Sequence, residues 1–166
     1  MAAASKVGRY GERDGLMLEM MYRHGLRLSE LTSLRWSEAH LDQGLLHVTR
    51  AKGGVDSTHP IDGNHIRVLR RIKREQTQGG GFIFTTERGG PLSPQAVQKI
   101  VARAGVLAGF AEPIHPHQLR HACGYTLANA GHDTRSIQLY LGHKNIQHTV
   151  RYTELAPDRF KDFWRK

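Results

Sequence analysis

The segment 116–130 constrains the fold of this chain more than any other. Pro116 has the fixed φ that suits a first helical position, and Gly131 can take the left-handed conformation that stops a helix. Between them, at 3.6 residues per turn, Leu119, Ala122, Cys123, Thr126 and Ala130 share one face. His117, Arg120, His121 and Gly124 share the other. Three cationic or potentially cationic groups on one helix face repel one another unless an anion sits there. The segment therefore predicts a helix whose apolar back holds a cationic front.

The neighbouring segments read as more helices around a little sheet. Residues 12–24 carry Leu16, Met17, Met20 and Met21 at helical spacing, and Gly25 follows as a left-handed cap. A short helix with Ser29 as N-cap, Leu31 and Leu34 inward and Trp36 at its end leaves Arg27 in a tight connection. Residues 45–49 and 55–61 read as strands joined by a turn at 52–54, a hairpin with Lys52 near its tip. A basic-faced helix over 62–76 precedes the glycines at 79–81 and a short apolar strand at 82–84. Ser93-Pro94 opens a helix whose apolar stripe (Val97, Ile100, Val101, Ala104) runs up to Gly105. Asp133 or Thr134 caps a helix through Leu141, ended by Gly142, and a last amphipathic stretch over 146–164 is broken at Pro157. The pattern predicts one domain, mainly α with a small antiparallel β-sheet (α+β). Its core spans 12–153, with 1–11 as an N-terminal extension and 154–166 as a C-terminal helix.

Composition narrows the partner. With 39% apolar residues in 166, the chain can bury a core without staples, and a single cysteine, Cys123, excludes an internal disulfide. No 20-residue apolar run predicts a membrane span, and a reducing cytosol is the natural compartment. The 24 Lys and Arg against 15 Asp and Glu give +9, the footprint of a polyanion binder. The cations are dispersed through folded segments, which favours a shaped groove for nucleic acid over a bilayer surface.

Four separated segments offer polar groups that a core does not demand: Arg27, Lys52, His117 with Arg120, and His143 with Tyr152. Transesterification at phosphorus needs a nucleophile, charge stabilisation on two non-bridging oxygens and a proton for the leaving oxygen. Arginine meets the electrostatic demand with a planar fork that stays charged. Taken singly, each residue has a plainer reading: Arg27 as a helix-end cation, Lys52 as a solvated turn lysine, Tyr152 as a core tyrosine. The conjunction favours a phosphodiester site. Eleven histidines invite a metal, but Pro116 separates His115 from His117 and no Cys or carboxylate completes a tetrahedral set. The glycines at 79–81 and 89–90 lack the GK[ST] ending of a phosphate-binding loop.

The same residues carry a family resemblance. The stretch Tyr22-Arg23-His24-Gly25-Leu26-Arg27-Leu28-Ser29-Glu30-Leu31 resembles the first box of tyrosine recombinases of the phage integrase type. His117-Gln118-Leu119-Arg120-His121 resembles the second, Leu141-Gly142-His143 the third, and Val150-Arg151-Tyr152-Thr153 the nucleophile segment. The order is the family's, over about 17–153. The segment Lys52-Gly53-Gly54-Val55-Asp56-Ser57-Thr58-His59-Pro60 further resembles the small invertases that switch fimbrial genes.

The resemblance implies a DNA breaking-rejoining catalytic domain in which Tyr152 attacks a scissile phosphate, giving a 3′-phosphotyrosine and a free 5′-hydroxyl. It gives Arg27, Arg120 and His143 the phosphoryl oxygens, Lys52 the departing 5′-oxygen, and His117 proton transfer at the nucleophile. Glu30 would orient Arg27. It implies neither metal nor other cofactor, double-stranded DNA as partner, a homo-oligomer that is a tetramer on paired sites, and accessory DNA-bending proteins. The setting it implies is the bacterial cytoplasm, on nucleoid DNA. The N-terminal core-binding domain usual in the family has no counterpart in the sequence, as in a minimal invertase or a piece of a longer integrase. The alternatives are a DNA-binding regulator that keeps the fold without the chemistry, and a type IB topoisomerase that relaxes DNA through a similar intermediate.

Overall fold

The computed structural model describes residues 10–76 and 80–154. Helix α1 (Gly11–Arg23) and the short α2 (Leu28–Ser33) lead into three strands, β1 (Ala39–His40), β2 (Leu45–Val48) and β3 (Ser57–Pro60). Then follow α3 (Gly63–Glu75), α4 (Pro94–Leu107), α5 (Pro116–Asn129), α6 (Thr134–Leu141) and α7 (Gln147–Glu154). The sheet is antiparallel in the order β1-β2-β3, with Leu46 opposite His59 and Val48 opposite Ser57. This is the mainly helical α+β class that the pattern predicts.

Two apolar clusters hold the elements. The larger joins α1, α2, the sheet, α3 and α4 through Met17, Met20, Met21, Leu31, Leu46, Leu69, Ile83, Phe84 and Val97. The smaller, around Cys123, Ala128, Ile137, Leu141 and Tyr152, holds α5, α6 and α7 together. The first helix keeps its spacing because Leu16, Met17, Met20 and Met21 all turn inward.

Local details differ from expectation for identifiable reasons. Arg27, not Ser29, is the N-cap of α2, because the Glu30 side chain accepts the Arg27 backbone N–H at 2.8 Å. Trp36 lies outside α2, in a 3-10 turn over Trp36–Glu38. Residues 82–84 make one isolated bridge, Phe82 to Arg35, rather than a strand, and Thr85 just beyond them bridges to Pro91. Helix α4 runs past Gly105, which is no stop: a Cβ there would meet Ile114 Cγ1 at 2.6 Å, so the glycine permits close packing. Asp133 caps α6 through the Ser136 N–H, and Gly142 ends it at φ +67°. The aromatic stretch beyond Pro157 lies outside the described residues.

Candidate active site

The prediction for α5 needs a correction that makes the site. Arg120 does not stand on an exposed front; its side chain is 2% exposed and shares the buried face with Pro116, Cys123, Gly124 and Ala128. Thr126 and Ala130, placed on the apolar back by spacing, are exposed. The helix turns this way because backbone carbonyls wait for the guanidinium. Arg120 Nη2 donates to Leu141 O at 2.6 Å, and Nη1 to Gly25 O. Burial, then the charges of Arg27 and Arg50, bring its pKa down to about 10, still charged at neutral pH.

The turn at Gly25 places the other arginine. Gly25 holds φ +57°, and a Cβ there would collide with Leu141, so glycine alone lets α1 turn against α6. Two residues on, Arg27 Nη1 pairs with Glu30 Oε1 at 2.6 Å. Glu30 is buried, and burial by itself would raise its carboxyl. The Arg27 backbone N–H, the Arg50 charge, the Arg27 guanidinium and the Ala51 N–H outweigh this and hold it below the usual carboxylate value.

Arg50 escaped the sequence reading. Its guanidinium is fully buried and donates to Glu30 Oε2 at 2.9 Å, Gly25 O at 3.3 Å, His24 O at 3.2 Å and Tyr140 O. The signal was in the alternation: Leu46 and Val48 face inward, and position 50 continues their face with a charge. Arg50 thus ties the hairpin to the α1–α2 turn and to the end of α6. Lys52 follows two residues later in the 3-10 turn Ala51–Gly53; its side chain lies outside the described residues.

Tyr152 sits on α7 and is only 1% exposed. Its ring lies over Gly124 of α5, where a Cβ would come within 2.7–2.8 Å of three ring carbons. Its hydroxyl lies 2.7 Å from His121 Nδ1, and Arg151 Nη2 donates to the hydroxyl oxygen at 3.2 Å. His117, exposed, meets the His121 ring edge-on at 4.1 Å between centroids. His143 is buried, 6.4 Å from the Tyr152 ring by centroids, and its Nδ1 is bonded to Thr149 Oγ1 at 2.8 Å. Burial, followed by the charges of Arg120 and Arg27, lowers His143 to about 3. Burial followed by Arg120 also lowers His117, and burial followed by His117 takes His121 to about 4. Two neutral imidazoles, His121 and His143, and the Arg151 guanidinium therefore stand around Tyr152, with the Arg120 charge within electrostatic reach. Among the described residues no three His, Cys, Asp or Glu side chains converge as metal ligands.

The phage integrase family model matches residues 1–159. The chain belongs to the phage integrase family of tyrosine recombinases. This recombinase is 41% identical to the type 1 fimbriae regulatory protein FimE of Escherichia coli K12 over 100% of its own length and 86% of that protein. It is 38% identical to FimB of the same strain over 97% and 82%. It is also 38% identical to the tyrosine recombinase XerC of Xanthomonas campestris, over 87% of this chain and 45% of the relative. The enzyme class is thus tyrosine-type site-specific recombination. The recombinase also superposes on the XerH site-specific recombinase, solved with its palindromic difH substrate after cleavage, with a TM-score of 0.81 at 22% identity. That match covers 99% of this chain and 50% of the other, and XerA gives 0.74 at 20%, over 95% and 63%. At such identities the superpositions establish the fold, and this chain spans about half to two thirds of the solved ones. Among the described residues no helix is long and apolar enough to cross a membrane.

Proposed function

We propose that this recombinase cuts duplex DNA by attack of the Tyr152 hydroxyl oxygen on a scissile phosphate, leaving a 3′-phosphotyrosine and a 5′-hydroxyl that reattaches to a partner strand. The observation that carries the reading is the setting of Tyr152, whose ring lies over Gly124 on the helix that carries Arg120, with its hydroxyl 2.7 Å from His121 and the His143 ring 6.4 Å away. Arg27 and Arg120 clamp the non-bridging oxygens, His143 adds a third donor, and Lys52 gives its proton to the departing 5′-oxygen. The bond energy is kept in the phosphotyrosine, so no nucleotide or metal enters the scheme.

DNA inversion is the outcome favoured by 41% identity to a fimbriae regulatory protein along the whole chain. Paired sites then require a tetramer, with accessory DNA-bending proteins helping to bring them together, on nucleoid DNA in the bacterial cytoplasm. The decisive experiment is denaturing-gel trapping of protein on nicked duplex from the native locus. Wild type forms an adduct, and Tyr152→Phe binds DNA without forming one. An adduct at wild-type level in the Phe variant would return the chain to a different nucleophile. No adduct from wild type favours a regulator that binds without cutting.

A further inference from the structure

We propose that His121, not His117, is the catalytic base that takes the proton of Tyr152. The proposal rests on Tyr152 being the nucleophile, and adds where its proton goes.

The geometry names the acceptor. His121 Nδ1 lies 2.7 Å from the Tyr152 hydroxyl, while Arg151 Nη2 stands beside both ring nitrogens, 3.0 Å from Nδ1 and 3.3 Å from Nε2. In the neutral ring with its hydrogen on Nε2, Nδ1 carries the lone pair. In that tautomer the tyrosine O–H donates to Nδ1. The proton to be removed already lies on the line to a basic nitrogen, within the reach that general-base catalysis needs. His117 makes no such contact among the described residues. It packs edge-on against His121 and is exposed.

The surroundings keep the base free and help its task. Its neighbours are His117 and Arg120 on α5, and Arg151 and Tyr152 on α7. Burial, followed by His117 and the Arg151 and Arg120 charges, holds the imidazole unprotonated at neutral pH. A ring so surrounded is a weak base on its own. An incoming phosphodiester brings a negative charge into the same cluster, which offsets the arginines and raises the proton affinity of His121 when substrate is bound. Arg151 Nη2, also 3.2 Å from the tyrosine oxygen, stabilises negative charge as the proton leaves.

The step balances. The Tyr152 Oη–P bond forms as the P–O5′ bond breaks, the tyrosine proton passes to His121 Nδ1, and the departing 5′-oxygen takes a proton from Lys52. On rejoining, His121 returns its proton to the tyrosine oxygen.

The test isolates the nucleophile's side of the reaction. A suicide duplex from the native locus carries sulfur in place of the 5′-bridging oxygen, so the leaving group needs no proton. The rate of covalent adduct formation is followed in a single turnover from about pH 6 to about pH 9. Wild type and His117→Ala should give level profiles from about pH 7 upward, because the base is already free. His121→Ala and the gentler His121→Asn should be slower by about a hundredfold at neutral pH and recover about tenfold per pH unit, as hydroxide replaces the missing base. A merely structural defect has no such slope. The proposal is overturned if the His121 variants react at wild-type rate or faster, in which case the histidine only parks the tyrosine. A slow but level profile in both variants also overturns it, as does the slope appearing in His117→Ala instead. If wild type gives no adduct, or Tyr152→Phe gives one, the nucleophile assignment fails first and this one with it.

Discussion

Arg50 Nη1 stands 2.9 Å from Glu30 Oε2, and both side chains are buried. Through this pair the hairpin strand that leads to Lys52 is joined to the helix that holds Arg27, because the other Glu30 oxygen takes the Arg27 guanidinium. The Gly25 carbonyl repeats the link, accepting from both Arg50 and Arg120.

Removing the anion leaves Arg50 buried without its counter-charge. Glu30→Ala should lower the unfolding free energy by about 3–5 kcal/mol, the usual cost of breaking a buried pair from one side. Arg50→Met should cost less, since Glu30 keeps the Arg27 guanidinium and the Ala51 N–H. Urea melts at neutral pH measure both. A Glu30→Ala midpoint equal to wild type would show the pair to be structurally idle.

Gly124 sets the position of the Tyr152 ring from beneath. In Gly124→Ala the new methyl occupies space held by the Tyr152 ring, and the ring must move because the helix backbone cannot. Adduct formation should fall at least about tenfold, with a stability loss of about 1–3 kcal/mol from overpacking. DNA binding by gel shift should stay near wild type. Unchanged cleavage kinetics would mean that the ring position shown here is not the reactive one.

The proposed phosphate clamp and the proposed leaving-group acid separate on modified DNA. Arg27→Ala and Arg120→Ala should each reduce adduct formation by about 10²–10³-fold, on oxygen and sulfur substrates alike. Lys52→Ala should be defective only on the oxygen substrate, because sulfur departs without a proton. Equal defects on both substrates would make Lys52 a binding group.

A buried histidine pair beside Arg50 gives the fold an acid edge. His24 Nδ1 lies 3.3 Å from His59 Nδ1, and His59 stacks on Tyr140 at 3.8 Å. Burial above all, helped for His24 by His65 and for His59 by Arg50, lowers them to about 4 and about 3. The unfolded chain titrates its histidines near the ordinary value, so between that value and the folded ones it binds more protons than the folded protein. Stability therefore rises with pH across this window and is lost as pH falls below about 6.5, by roughly 1 kcal/mol per unit for each histidine. Thermal melts at about pH 7 and about pH 5 should differ by several degrees, and less in His59→Gln. Identical shifts in wild type and His59→Gln would place the acid sensitivity elsewhere.

Helix existence, the hairpin and the family were legible in the sequence because they rest on local rules. Periodicity marked the apolar face of α1, Ser93-Pro94 and Asp133 marked helix starts, and the boxes around Arg27, Arg120, His143 and Tyr152 lie within contiguous stretches of chain. Local rules failed where a distant partner decided the outcome. Spacing grouped Arg120 with an exposed cationic front, yet it is buried because Gly25 O and Leu141 O, far away in the chain, satisfy its donors. Position 50 carried an inward charge whose meaning depended on Glu30. Likewise only packing of α7 on α5 brings His121, rather than His117, to the Tyr152 hydroxyl. Sequence determined which groups are present and on which elements. Tertiary structure decided which of them touch, because the burial of a charge depends on acceptors that only the folded chain brings within reach.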